Sequence, residues 1–533
     1  MSLSSFLRLE DGADDEEKTA ALTALITSAI RDSNPELSLS TIYQQVAQNN
    51  GSAYLDPLHV LPSLLKSDQP AARDLIGIIA ECSSGKEAAI AAQETLERLR
   101  ETVESGEEEA DASTISTLID IVDLYTTVIP RIKLRKKSAL ETVQPHLTEL
   151  GDAIDALGHA SKTEQASEIV SAVIRLVKSV CGWIRDKDGG NTDPLPTLRD
   201  LISRSITSVT PFLKTNIAQN TFEALYPRLV VRAPGSASGS AQAPSEQVLS
   251  DAWTTYQAVG ATTLAIAQLN SVSSIIFLAR LEPSELSEPK VLSSILPVVI
   301  ASIQANNGVD HVLAFLLKVL HARKDELSTN CLVPLATVLP TLASGHPDPQ
   351  TRHQAFRILG LLLSRSPSAL RLQVLQDLTS NSEFPQMRVA AVGLVKEAIL
   401  DALAQKESQN VFASPMFMRT FGPILFRPNP PDLFEASLSI KDFEESQESR
   451  RLAECLSLYY VLLVRDEKNL TGIRDSDVLK TVGKNLLTPL RAQLGVWEEE
   501  ANSSDHLHDL MPLVSLQLGL DRVYAAKRSL FDR

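Results

Sequence analysis

The sequence predicts an all-α fold of stacked antiparallel helix pairs, and three observations predict it. The first is a recurrence. Gln350-Thr351-Arg352-His353-Gln354-Ala355-Phe356-Arg357-Ile358-Leu359 and Gln386-Met387-Arg388-Val389-Ala390-Ala391-Val392-Gly393-Leu394-Val395 carry one pattern 36 residues apart. Pro349 and Pro385 precede the two segments, Arg352 corresponds to Arg388, Ala355 to Ala391, and Ile358/Leu359 to Leu394/Val395. The Pro ends one helix and seeds the next, the small residue lets helices approach closely, and the apolar stripe faces a neighbour. The second is composition: aromatic residues make up only 5% while Leu, Ala and Ser abound, which suits helices more than sheets. The third is punctuation, because Pro, Gly and Asn clusters bound segments of helical length and no strand-like alternation runs beyond a few residues. A helical recurrence near this period marks a HEAT/armadillo-like α-solenoid. Such arrays usually bind other macromolecules through their surfaces.

Taken in order, helices are expected at 17–31 and 39–49, parted at Ser33-Asn34-Pro35 because the residue before Pro leaves the helical region. Pro57 and Pro70 open 57–66 and 70–82. The segment 86–103 has good helix formers and an i,i+4 pair, Glu94 and Arg98. It runs into a solvated loop, Ser105 to Asp111. An apolar helix at 113–129 stops at Pro130, and helices at 131–157, 161–186 and 196–224 follow, with Gly189-Gly190 turning between the last two. Arg232–Ser245 reads RAPGSASGSAQAPS, without apolar bulk. It is a Gly/Ala/Ser/Pro-rich flexible linker between helical-repeat regions 1–231 and 246–533, or else a long loop inside one continuous array. Beyond it, helices are expected at 246–270, 271–281, 289–306, 309–323, 327–344, 350–365, 367–380, 386–405 and 413–425, then at 447–465, 476–495 and 505–528.

The net charge, 50 − 66 = −16, disfavours nucleic acid and anionic membranes as partners and favours a basic protein surface. The apolar stretches Thr262–Ala279 and Val291–Ile303 are interrupted by polar residues or are short, so no membrane span is expected. Cys82, Cys181, Cys331 and Cys455 stand apart, without zinc or disulfide spacing. No basic n-region with an apolar core follows Met1, so no secretory signal is expected and the cytoplasm, with the nucleus as a second compartment, is the expected location.

No phosphate-binding, dinucleotide-binding, nucleophile-elbow or His-Glu-x-x-His motif occurs, so an enzyme is not expected, and neither is a cofactor or a metal. In Asp505-His506-Leu507-His508-Asp509 the two His residues lie two apart, on nearly opposite sides of a helix, and the expected role is a solvated first turn. Arg131-Ile132-Lys133-Leu134-Arg135-Lys136-Lys137 is the one dense basic run. It suits a solvated helix face, a nuclear-import signal or a dock for an acidic partner. The candidate partner-binding residues are Trp497, Glu498, Glu499 and Glu500, an aromatic beside three carboxylates that could meet a basic surface. The competing reading is a buried Trp at a plain helix end. Among the cysteines, Cys331 and Cys455 read as core positions of helices, while Cys181, near Trp183 and Arg185, reads as the least buried and is the candidate redox thiol.

The C-terminal third resembles the glomulin family, which includes fungal AP-1-binding (Yap-binding) proteins and a plant lateral-root-formation homologue. The residues that carry this run in a fixed order over roughly 350–500. They are Arg352–Leu359, Leu375-Gln376-Asp377-Leu378, Met387–Leu403, Phe421-Gly422-Pro423 and Asp432-Leu433-Phe434. After these come Arg451–Asp466, similar to a leucine-rich helix ending Leu-Val-x-Arg/Lys-Asp, and Asn485-Leu486-Leu487-Thr488-Pro489-Leu490, similar to Asn-x-Phe-Leu-x-Pro-Leu. The resemblance implies a non-catalytic HEAT-like protein. Its concrete form is a regulator covering the RING subunit of cullin-RING ubiquitin ligases. The alternative, implied by the fungal relatives, is a scaffold for an oxidative-stress AP-1-like transcription factor or a kinetochore-associated adaptor. No contact motif carries over residue by residue, so no binding residue is inherited.

Overall fold

The structure, a computed structural model, describes residues 3–531 other than 11–12, 33, 107–109, 189–194, 230–243, 261, 324, 381–382, 406–409, 435–438 and 504–510. Among these residues the regular structure is helical throughout, with no strand. The chain divides into two compact units, Met1–Phe315 and Leu316–Arg533.

The first unit contains α1 (Leu3–Phe6), α2 (Asp15–Arg31), α3 (Leu39–Gln48), α4 (Pro57–Leu64), α5 (Pro70–Cys82), α6 (Gly85–Glu104), α7 (Ala112–Val128) and α8 (Ala139–Leu157). It continues with α9 (Thr163–Asp188), α10 (Leu195–Val209), α11 (Ile217–Leu225), α12 (Pro244–Ala258), α13 (Thr263–Gln268), α14 (Val272–Leu278) and α15 (Pro289–Gln304). These helices pack in steps of two. In one layer α2 meets α4, α4 meets α6, α6 meets α8 and α8 meets α10; in the other α3 meets α5, α5 meets α7 and α7 meets α9. Consecutive helices, such as α6 with α7, close each pair. This is the stacking of a HEAT-like α-solenoid, in which each pair buries its apolar faces on the pair before and the pair after.

Ion pairs follow the same two-step rule. Arg73 on α5 reaches Asp120 on α7 at 3.3 Å, and Arg100 on α6 reaches Glu149 on α8 at 2.6 Å. Arg175 on α9 reaches back to Asp123 on α7 at 2.7 Å, and Arg204 on α10 binds Asp152 and Asp155 on α8 at 2.5 and 2.7 Å. Most of these carboxylates are partly exposed, so each pair contributes little stability and the ladder mainly fixes register. Burial in the apolar layers accounts for α7 as well. Ala112–Arg131 has the length and the mean hydropathy, 1.3, of a membrane span. Ile115, Leu118, Ile121, Val122 and Tyr125 on it are nevertheless fully enclosed by neighbouring helices.

Three departures from the sequence reading have local causes. The expected helix 131–157 begins only at Ala139, because Ser138 caps it: its hydroxyl accepts from the Glu141 amide and the Glu141 carboxylate accepts from the Ser138 amide. The expected helix 196–224 breaks at Thr210-Pro211-Phe212, and α11 is restarted by Asp310. That half-buried carboxylate accepts from the Thr215 hydroxyl at 2.5 Å and from the Ile217 and Ala218 amides at 2.9 and 3.0 Å. The expected helix 246–270 divides at Gly260, whose φ of +77° is left-handed. Most of the stretch 232–245 lies outside the described residues, although its last two residues already belong to α12. Since α12 packs on α9 and α10, the helices on either side of that stretch share one unit. The unit boundary falls after Phe315.

The division lies within α16 (Val309–Ala322). The second unit then holds α17 (Thr329–Gly345), α18 (Pro349–Ser364), α19 (Ser368–Ser380), α20 (Pro385–Ala404), α21 (Pro415–Leu425), α22 (Ile440–Glu445), α23 (Glu448–Arg465), α24 (Ser476–Val482), α25 (Thr488–Ser503) and α26 (Met511–Phe531). Here α17 packs on α18, α19 on α20, α20 on α23 and α23 on α26. The recurrence reads out as expected: Pro349 and Pro385 open their helices, and Ala355, Ala391, Ile358, Leu359 and Val395 are fully buried.

Candidate functional site

The expected helix 476–495 holds a π turn at Gly483–Leu487, where the Thr488 amide donates to the Gly483 carbonyl, five residues back. The cause is Pro489. Inside a regular α-helix its ring would strike the carbonyl of Asn485, and it has no N–H to give. One extra residue in the turn removes the clash. π turns frequently occur at functional sites, and this one is ringed by three indentations.

The largest indentation, about 760 Å³, is lined by Arg474, Leu479, Lys480, Gly483, Lys484, Thr488, Pro489, Ala492 and Lys527, with Ser476 at its edge. A second, about 370 Å³, lies between α21 and α24 and includes Met418, Arg419, Phe426, Arg427, Val478 and Asn485. A third, about 390 Å³, joins Arg427, Pro428, Pro431 and Phe434 to Lys484, Asn485 and Pro489. Lys484 and Asn485 form the ridge between them. The surface is therefore a cationic rim over an apolar floor. Among the lining residues of these three clefts Asp477 is the one carboxylate. Burial lowers the Lys527 pKa below its ordinary value.

Buried polar clamps hold this rim. Arg451, 4% exposed, binds Glu448 on its own helix at 2.5 Å and donates to the carbonyls of Ile424 at 3.2 Å and Arg427 at 2.7 Å. The Glu448 carboxylate in turn accepts from the Asn429 amide at 2.9 Å. On the other side Asp466, 1% exposed, accepts from the amides of Leu470 and Thr471 and from the Thr471 hydroxyl. Arg474 is fixed by the carbonyls of Leu463 and Glu467 at 2.7 and 3.1 Å. Of the segments that carry the family resemblance, Asn485–Leu490 gives Thr488 and Pro489 to the lining of the largest cleft, and Arg451–Asp466 stands behind it, its Leu463 carbonyl holding Arg474.

The structure splits the candidate segment 497–500. Trp497 is fully buried, stacked on Phe443 at 4.3 Å and 27° with Phe434 edge-on at 6.3 Å. It is a core residue behind the third cleft, which corrects its expected role as a direct partner contact. Glu498 and Glu499 are exposed, since successive helical residues turn by about 100°. The side chain of Glu500 lies outside the described residues, as do all of Asp505–Asp509. Among the described residues no group of three or more His, Cys, Asp or Glu side chains converges as a metal site would. The opposite side of the last helix is apolar: Met511, Val514 and Leu518, at i, i+3 and i+7, are 66%, 47% and 52% exposed. Leu513, Leu516, Leu520 and Val523 face inward.

Cys181 is buried in α9, so the expectation that it is the most accessible thiol is corrected; Cys82, at the end of α5, is the exposed one. Burial pushes the Cys455 thiol up to about 11, with Arg451 opposing. Titration of the native protein with an aromatic disulfide should therefore release one thiol quickly and four in denaturant. Rapid release of two or more from native protein would contradict the burial.

The fold and surface define a helical-repeat protein with a preformed cationic groove. Residues 290–526 match the model of the family described as "Uncharacterised protein family, YAP/Alf4/glomulin". The match spans α15–α25 and most of α26, and so contains all the cleft walls except Lys527. A search of curated proteins gave no match.

Proposed function

We propose that this protein is a non-enzymatic regulator that docks a partner protein on the groove around the π turn and masks a surface that another protein needs. The observation that carries the reading is the position of that groove, inside the region matching the family. A cationic rim over Leu479, Pro489 and Ala492 suits an acidic patch with an apolar centre, because a desolvated core supplies affinity and rim charges supply register. The expected basic partner is revised accordingly. Charges beyond about 8 Å are screened at physiological salt, so the overall −16 does not set the sign at the groove.

The RING subunit of a cullin-RING ubiquitin ligase is the concrete partner proposed, by family resemblance. Mixing the full chain with purified RING subunit should give a stable complex and slow ubiquitin discharge from the conjugating enzyme. The absence of binding at micromolar concentrations would remove this partner. The family description also names YAP, which supports the second reading, a scaffold for a stress transcription factor. On that reading deletion of the protein sensitises cells to peroxide while ubiquitin discharge is unchanged.

A further inference from the structure

The run Arg131–Lys137 is not a helix face. It is the connection from α7 to α8, and both of its ends are clamped. At the start, the Arg131 guanidinium donates to the carbonyls of Ala80 and Ser83 at the end of α5, with the Ser83 contact at 2.8 Å. Ile132 is buried, and its amide donates to the Ile129 carbonyl at 3.0 Å. Gly85 lies so close beneath that a Cβ there would sit 3.2 Å from the Arg131 carbonyl carbon. At the far end Ser138 and Glu141 form the capping box, and the Ala139 amide donates to the Asp188 carboxylate at 2.9 Å. Between the clamps Lys133, Arg135, Lys136 and Lys137 are all exposed, and none makes an ion pair or side-chain hydrogen bond among the described residues.

These four neighbouring cations stay unneutralised on a fixed loop of a chain whose carboxylates outnumber its cations by 66 to 50, so they raise a local positive potential that attracts an anionic group. The one cation of the run that serves the fold, Arg131, is the one bonded to the carbonyls at the end of α5. We propose that Lys133–Lys137 is a second docking site, separate from the groove of the C-terminal unit, and that it takes a short acidic segment of a protein partner. The size of the site favours a short segment over a long polyanion. Five extended residues span roughly 17 Å, about two screening lengths at physiological salt. A duplex or a bilayer would extend past the loop over an acidic body and be repelled there.

The test uses the full chain and a labelled peptide of twelve alternating Glu and Asp residues, followed by fluorescence anisotropy. K133Q/R135Q/K136Q/K137Q should weaken binding at least tenfold while leaving the melting temperature unchanged, because these side chains support nothing. K66Q/K162Q, two exposed lysines outside the run and outside the groove, should change it by less than twofold. Equal binding by the loop variant, or an equal loss on the K66Q/K162Q variant, would overturn the proposal. Tighter, loop-dependent binding to duplex DNA or to phosphatidylserine vesicles than to the peptide would overturn the assignment to a protein.

Discussion

Replacing Arg451 with Ala is expected to destabilise the second unit by about 3–5 kcal/mol, because removing one partner of a buried ion pair strands the other charge. Arg451 and Glu448 are 4% and 6% exposed, so solvent cannot take over. The loss goes beyond the pair. The carbonyls of Ile424 and Arg427 lose their donor, and the Glu448 carboxylate that receives the Asn429 amide loses its counter-charge. Arg427 lines two of the three clefts, so the damage reaches the groove rim. Arg451→Lys should recover only part of the stability, since an ammonium cannot serve a carboxylate and two separate carbonyls in one plane. Urea unfolding monitored by far-ultraviolet circular dichroism measures this. A midpoint for Arg451→Ala within error of the wild type would contradict it.

Trp497→Ala is the second large effect, with an expected cost of about 3–5 kcal/mol for truncating a fully buried aromatic. The indole fills the space between Phe443 on α22 and Phe434, and no smaller side chain bridges both. Trp497→Phe should retain most of the stacking on Phe443 and cost markedly less. By contrast Glu498→Gln and Glu499→Gln, on the exposed side, should leave the melting temperature unchanged. If Trp497→Ala instead left stability intact while abolishing partner binding, the indole would be a contact residue after all. Calorimetric melting of the four variants separates these outcomes.

The helices were legible because their signals are local. Pro at the first turn, Asn or Gly at the last, and apolar residues at 3.6-residue spacing act within one segment, as at Pro349–Leu359. The errors also had local causes that longer runs hid. Ser138-Ala139-Leu140-Glu141 is a capping box that could have started α8 correctly, but the helix formers before it extended the run backwards. Pro211 and Gly260 sat inside apolar stretches and were read through. Pro489 within the run 476–495 was the sole sequence trace of the π turn.

The groove was legible only in part. Segments resembling the glomulin family mark two of its walls, but its cations come from positions as far apart as Arg419 and Lys527. Only the packing of α21, α24, α25 and α26 gathers them, and no spacing rule along one helix contains that information. Trp497 and its acidic neighbours drew attention because aromatic and charged residues together resemble an interface. Their orientation is decided by α22, a six-residue helix that the sequence reading did not anticipate.

The claim on which the account rests is that the cationic ridge beside the π turn holds the partner. Lys480 and Lys484 are exposed and make no ion pair or side-chain hydrogen bond among the described residues, so K480E/K484E reverses the charge without disturbing the fold. The measurement is quantitative affinity purification of this variant beside the wild type, from the same cells and at equal abundance. The principal co-purifying protein is expected to fall at least tenfold while the melting temperature is retained. Undiminished recovery of that protein with the ridge reversed would contradict it.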